Sequence, residues 1–404
     1  MTPADTTTAE TAGCPIDHTN FTPAKPALSY WKLLDDLREK APIMWNEAHG
    51  VGFWMVQRHD QVLEVMQQPK LFSNDVIQAI NPREDAIYFL PNMLNAPEHN
   101  DMRRLLNKWF SPAAVRRAEP LMVERVNILI DDIIDRGSTE FVTGFAMEYP
   151  TYLLLQILGM PIEDGPQMVR WVEAIFGGAF GGEGGHAAVT KIKNYFLPAF
   201  EERRKNPRDP ETDFLTYLLQ TNMKDAPLSE EDALTVCMTM MTAGLDTTRS
   251  SLGYIFRDLA LDDEHRTYVR EHPDDLPDVV EEFVRLHNLI MQPGREVTED
   301  VDFHGVHMKK GDVVWIGIAQ ACRDPREFED PTTFNPHRHN LGKHLGWGAG
   351  GHRCIGMHLA RHEIVIALRE WHKRIPDYRV VDPDSLMERG VQLSLQKMRL
   401  EWDV

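Results

Sequence analysis

Cysteine is scarce in this chain, with four among 404 residues. Cys14, Cys237, Cys322 and Cys354 are widely scattered and form no CxxC pair, so neither a disulfide framework nor a cysteine-based zinc site is suggested. Positive charge is also short. The 43 Lys and Arg against 62 Asp and Glu leave a net charge of −19, which argues against nucleic acid or an anionic membrane as main partner. No apolar run reaches the roughly 18–20 residues that a bilayer span needs. The opening MTPADTTTAETAGCPIDHTN has neither a basic start nor an apolar segment, so it does not read as a secretory signal. A cytoplasmic setting with reduced thiols is the expectation. Internal repeats and a dinucleotide-type glycine fingerprint are missing as well.

What is present is a core. With 42% hydrophobic residues, the chain can fill two or three domains or one large one. No linker divides it, which predicts a polar tail over 1–27 and a single domain over 28–404. The pattern is mainly α with minor β. Residues 111–137 open with Ser-Pro, place apolar residues three and four apart, and stop at Gly137, as a helix should. Residues 229–261 predict a long helix, capped by Ser229 and apolar nearly all round, hence central and buried. Strands are expected at 51–58 and, antiparallel, over 295–318. Residues 322–340, rich in Pro, Asp and Asn, predict an irregular meander. The glycine-rich stretch 176–186 is either a surface connector or a lid hinge.

One stretch demands a chemical reason. GWGAGGHRCIG (346–356) surrounds Cys354 with glycines, which fill no core and cost conformational entropy. An inert buried thiol leaves the glycines unexplained. A zinc site has donors at hand in His352, Cys354, His358 and His362, yet so close a string fits no usual zinc spacing. An axial thiolate to haem iron explains both features: a flat macrocycle against the chain requires missing Cβ atoms at Gly348, Gly350 and Gly356. A helix starting near Ile355 would favour the sulfur anion.

The segment WGAGGHRCIG resembles the haem-binding loop F-G-x-G-x-H-x-C-x-G of the cytochrome P450 family, especially its bacterial camphor-hydroxylating type. Trp347 replaces the usual phenylalanine, and its N–H will need a partner if buried. Further motifs stand in order. EFVR (282–285) resembles E-x-x-R, implying a buried ion pair of Glu282 and Arg285 with Arg338 as third member. HNDMR (99–103) resembles H-x-x-x-R, so His99 and Arg103, with Arg295 and His352, are the implied propionate contacts, arginine offering a planar fork. AGLDT (243–247) resembles A-G-x-D/E-T. Ala243 and Gly244 would leave room for dioxygen, Thr247 would hydrogen-bond activated oxygen or seat a water, and Asp246 would head a proton relay.

The resemblance implies a single P450-type fold with a long distal helix and small antiparallel sheets, binding haem b (iron protoporphyrin IX). Asp246 and Thr247 stand where peroxide-using relatives carry Arg and Pro, which implies a monooxygenase using O2. The chain has no flavin or iron–sulfur segment, so electrons would come from an acidic 2Fe-2S ferredoxin fed by a flavin reductase. Arg103, Arg104 and Lys108, with Lys343, His344, Arg353 and Arg361, are the expected basic docking face. The implied substrate cavity includes Ile87, Tyr88, Phe89, Phe176, Phe180, Thr239, Thr242, Met291, Gln292, Val391 and Gln392. That mix predicts a compact, mostly hydrophobic substrate with one polar handle, such as a terpenoid or small aromatic. The competing class is a non-catalytic haem-thiolate binder or sensor.

Overall fold

The structure is a computed structural model of the chain, and it describes residues 14–50, 52–80, 85–177, 181–291 and 293–404. Its axis is the long helix Glu230–Leu261, whose bounds fall within one residue of the predicted ones. The Ser229 hydroxyl accepts the Asp232 N–H at 3.0 Å, and Glu230, Glu231 and Asp232 fill the first turn, where acidic groups suit the helix dipole. At about 1.5 Å per residue it crosses the molecule. The helices Glu148–Ile157, Gly165–Gly177, Gly182–Lys205 and Met357–Arg374 pack around it. The helix Pro112–Asp131 starts on a Ser111 cap, and a short turn then carries the chain to Gly137 at φ 64°.

The sheets depart from expectation in one respect. The largest has six strands in the order Ile16–Asp17, Ile43–Asn46, Phe53–Val56, Val313–Ile316, Gly294–Val297, Phe72–Ser73. It is mixed: Val313–Ile316 runs parallel to Phe53–Val56 and antiparallel to Gly294–Val297. The polar tail also gives way earlier than residue 27. Ile16–Asp17 and Lys25–Pro26 pair with strands, and Phe21 is fully buried. Its carbonyl accepts the Tyr30 hydroxyl at 2.9 Å and the Val391 N–H at 3.1 Å. An apolar ring and two hydrogen bonds thus fix a segment that looked polar.

Residues 322–340 form the predicted meander, and a buried ion pair holds it. Glu282 and Arg285, on the helix Leu276–Leu286, are both fully buried and doubly hydrogen-bonded at 2.7 Å. Arg338 reaches Glu282 at 3.0 Å, and Arg285 donates to the carbonyls of Cys322 and Pro331. In the glycine-rich stretch one helix ends at Gly177 and the next begins at Gly182. Residues 178–180 lie outside the described residues.

Candidate active site

Cys354 sits between a single turn, Gly350–His352, and the helix Met357–Arg374. Gly348 and Gly350 adopt φ of 72° and 66°, and a Cβ on Gly350 would stand 2.8 Å from the Met66 carbonyl. Both positions therefore require glycine. The Cys354 N–H donates to the Trp347 carbonyl at 2.7 Å. Burial pushes the thiol up; the backbone N–H of Gly356, the nearby Arg103 and Arg361, and the N–H of Met357 pull in the opposite direction. Those donors are a helix start aimed at sulfur, the arrangement that favours a thiolate.

Cys354 lines a cavity of about 360 Å³, and it is the one cysteine to do so among the described residues. Gly348, Ile355, Gly356, Leu359 and Ala360 share its side, while Ala243, Gly244, Thr247 and Thr248 come from the long helix. Four basic side chains meet along the same wall: His99 and Arg103 from the helix Glu98–Phe110, Arg295 from the strand Gly294–Val297, and His352. The rings of His99 and His352 stack with centroids 3.7 Å apart. Neither Arg103 nor Arg295 pairs with a carboxylate among the described residues. Burial lowers Arg295 to about 10. It also drives His352 to about 3, helped by His99, Arg295 and Arg103. Half-buried guanidinium groups facing a cavity without counter-charge are unfavourable, so the cluster fits a bound dianion. An apolar slot, a thiol in its wall and unpaired cations along it match haem b with its two propionates.

The family comparison agrees with this chemistry. The cytochrome P450 family model matches residues 182–371. Probable cytochrome P450 127A1 of Sinorhizobium fredii is 31% identical, over 85% of this chain and 82% of its own length. The chain belongs to the cytochrome P450 family. The steroid C26-monooxygenase of Rhodococcus jostii is 30% identical over 87% of this chain and 77% of its own. The crystal structure of CYP101J2 matches with a TM-score of 0.86 at 29% identity, covering 96% of this chain and 97% of that one. As a P450 the protein is an oxidoreductase that carries haem b on a cysteine thiolate. No helix among the described residues is long and apolar enough to cross a membrane.

In this P450 the distal residues are arranged unevenly. The Thr247 hydroxyl faces the cavity and donates to the Ala243 carbonyl at 2.7 Å. Asp246 is fully buried behind that surface. Its carboxylate accepts from Arg249, from Arg389 at 2.7 Å and from Gln392 at 2.6 Å. Arg249 in turn pairs with Glu173 at 3.2 Å. A further carboxyl, which the sequence motifs did not flag, lines the cavity: burial pushes Glu363 up to about 8 against a hydrogen bond from Thr248. Its position on the helix that follows Cys354 was the available signal.

Of the expected substrate-cavity residues, Phe89, Phe176, Thr239, Thr242, Met291, Val391 and Gln392 line the cavity. Ile87 does not; it is buried against Gly185. Tyr88 does not either, being 47% exposed at the surface. Phe180 and Gln292 lie outside the described residues. Leu289 and Ile290 fall within the expected segment 289–292 and line the cavity, whereas Ile77 and Leu154 were missed. The tip of the C-terminal hairpin is held tightly. Val391 takes φ 66°, a strained value for a β-branched residue, and Gln392 bridges to Ile290.

The expected basic docking face is largely neutralised. His344 is buried and, with Arg361, turns onto Glu281. Lys343 pairs with Glu327 at 2.9 Å, Lys108 with Glu211 at 2.5 Å, and Arg104 with Asp101 at 3.2 Å. Arg353 is exposed and makes no ion pair among the described residues. Glu281 also answers the question of the indole: Trp347 Nε1 donates to it at 3.1 Å. Burial alone would raise this carboxyl, but the hydrogen bonds and charge of His344 and Arg361 hold it at about 2. Zinc finds no support, since no group of three or more His, Cys, Asp or Glu is placed to hold a metal ion among the described residues.

Proposed function

We propose that the protein is a monooxygenase that inserts one atom of O2 into a compact, mostly hydrophobic molecule of terpenoid or small aromatic size. The observation that carries this reading is a single cavity lined at once by Cys354, by the unpaired cations Arg103 and Arg295, and by an apolar wall of Phe89, Leu154, Phe176, Leu289 and Val391. Cys354 is the proposed axial ligand, in a cradle made by Trp347, Gly348, Gly350 and Gly356. His99, Arg103, Arg295 and His352 are the proposed hydrogen-bond and charge partners of the propionates. A thiolate-held haem, when bound, supplies an iron centre that activates dioxygen, the sulfur pushing electron density toward O–O cleavage.

The chain's own residues then have three tasks. Ala243 and Gly244 keep bulk away from the long helix where dioxygen must fit. The Thr247 hydroxyl spends its proton on the Ala243 carbonyl, so it presents lone pairs to the cavity and orders a water there. Asp246, tied to Arg249 and Arg389, is the proposed head of the proton relay that Thr247 serves. Thr239, Thr242 and the amide of Gln392 are polar members of the proposed substrate wall. By likeness to soluble bacterial P450s, electrons are assigned to a separate acidic 2Fe-2S ferredoxin with its flavin reductase, and the setting to the cytoplasm.

The test is optical. Dithionite-reduced protein under carbon monoxide is expected to give the red-displaced Soret band of a thiolate-bound haem, and Cys354→Ser to lose it. A parent protein without that band overturns the reading.

A further inference from the structure

Among the side-chain amides that line the cavity, Gln392 has two ends that are not interchangeable. Gln392 is 5% exposed and lines the cavity. Its Nε2 donates to Asp246 Oδ2 at 2.6 Å. An ionised carboxylate only accepts hydrogen bonds, so the amide nitrogen has to face Asp246 and the carbonyl Oε1 has to face away. A glutamine is normally free to flip, its orientation being set by its partners; here the partner allows one choice. Oε1 makes no hydrogen bond among the described residues, yet it is not among the sealed, unpartnered polar atoms. It therefore keeps accessible surface, on a side chain that lines the cavity. The backbone cannot drift either. Leu393 N–H donates to the Leu289 carbonyl at 3.0 Å, Val391 N–H to the Phe21 carbonyl at 3.1 Å, and Gln392 bridges to Ile290.

The neighbouring hydroxyls are committed in a complementary way. Thr242 donates to the Met238 carbonyl at 2.9 Å and Thr247 to the Ala243 carbonyl at 2.7 Å, while Thr239 accepts the Leu90 N–H at 3.2 Å and keeps its own proton as the competing donor. The cavity thus offers a fixed acceptor inside an apolar wall. A ligand oxygen without a proton would meet Oε1 lone pair to lone pair; a hydroxyl would satisfy it. Leaving such an acceptor unpaired under an apolar ligand costs its desolvation.

We propose that the substrate is an alcohol: a compact hydrophobic molecule whose hydroxyl donates to Gln392 Oε1, with Asp246 as the positioning residue that fixes the amide. This rests on the monooxygenase reading above and adds the sign of the polar handle.

The test uses haem-loaded protein titrated by the spin-state shift of its ferric Soret band with two matched series: bornane, camphor and borneol, and indane, 1-indanone and 1-indanol. The alcohol is expected to bind roughly three- to tenfold more tightly than its parent hydrocarbon, the range of one neutral hydrogen bond, and more tightly than the ketone. Gln392→Met should erase the alcohol-to-hydrocarbon ratio, and Asp246→Asn, which lets the amide turn, should bring ketone and alcohol together. Taking ratios within each protein removes any general loss of folded material. Ratios unchanged in Gln392→Met, or no shift with any of the six compounds, overturn the proposal. So does a ketone preference abolished by Thr239→Val and untouched by Gln392→Met. The ferrous carbon monoxide band is recorded first on each protein. Its absence from the parent sinks the haem-thiolate reading itself; its presence with unchanged ratios sinks only the assignment to Gln392.

Discussion

Trp347 shows what one residue can and cannot announce. Its replacement of phenylalanine was visible in the motif, and so was the need of its N–H for a partner. The partner was not, because Glu281 adjoins Glu282 and the ion-pair motif drew attention to the second of the two. In the fold, Glu281 gathers the Trp347 N–H, His344 and Arg361, whose guanidinium lies 5.2 Å from the centre of the indole. Glu281 thereby neutralises a cation that acts on the Cys354 sulfur. Glu281→Gln should make the haem easier to reduce and Arg361→Met harder, each by up to about tenfold in the reduction equilibrium, or 59 mV for one electron. Spectroelectrochemical titration of both variants checks the opposite signs. Shifts of the same sign would refute the pairing.

A second residue sets a pH dependence. His372 lies between the Leu368 carbonyl and the Tyr378 hydroxyl, and burial, with Arg266 and Arg270 nearby, lowers it to about 4. The unfolded chain takes that proton near 6.5. Between those values the unfolded state binds more protons, so stability should rise with pH from about 4 to 6.5, by about 3 kcal/mol. Urea melts across that window measure the slope, and His372→Gln should flatten it.

Elements were legible where their signals are local. The long helix was bounded to a residue because its cap, acidic first turn and apolar faces all lie within it. The mixed sheet was not, because the parallel pairing of Phe53–Val56 with Val313–Ile316 joins segments far apart in sequence and no local pattern records it. The helix Leu276–Leu286 holds the meander through one buried cation. Arg285→Lys keeps the charge but loses the two-pronged grip on Glu282 and the reach to the Cys322 and Pro331 carbonyls. It should cost about 3–5 kcal/mol, read as a lower denaturation midpoint and faster haem loss. On the long helix, Thr247→Ala removes the hydroxyl that would order water. Reducing equivalents should still be consumed while product per equivalent falls severalfold, measured by peroxide release against product formed. Unchanged coupling would remove Thr247 from the proton path.

Over the whole molecule, the residues proposed to hold haem were easier to read from sequence than those of the proposed substrate wall. Each motif proposed for haem is a short contiguous string, whereas the cavity wall draws on the segments near Ile77, Phe89, Leu154, Phe176, Thr239, Leu289 and Val391. Misplacing Ile87 and Tyr88 was a matter of register in one loop: Phe89 faces inward, Tyr88 outward and Ile87 sideways under a helix. Charge told a similar story. The basic residues were named correctly as residues, but the carboxylates beside them belong to other segments and cancel most of the field. If an acidic ferredoxin docks on this side, Arg353 carries the encounter. Arg353→Glu should then slow reduction by ferredoxin severalfold at low salt and flatten its dependence on ionic strength, a measurement for stopped-flow mixing.

The Phe21 carbonyl, which receives both the Tyr30 hydroxyl and the Val391 N–H, ties the loop between the strands Ile16–Asp17 and Lys25–Pro26 to the hairpin beside the cavity. Selectivity is therefore hostage to the opening segment: a protease cut near Thr22, or a bulky fusion that levers Phe21 out, would slacken the wall that carries Gln392. A tightly held ligand, by the same linkage, would shield that distant peptide from digestion.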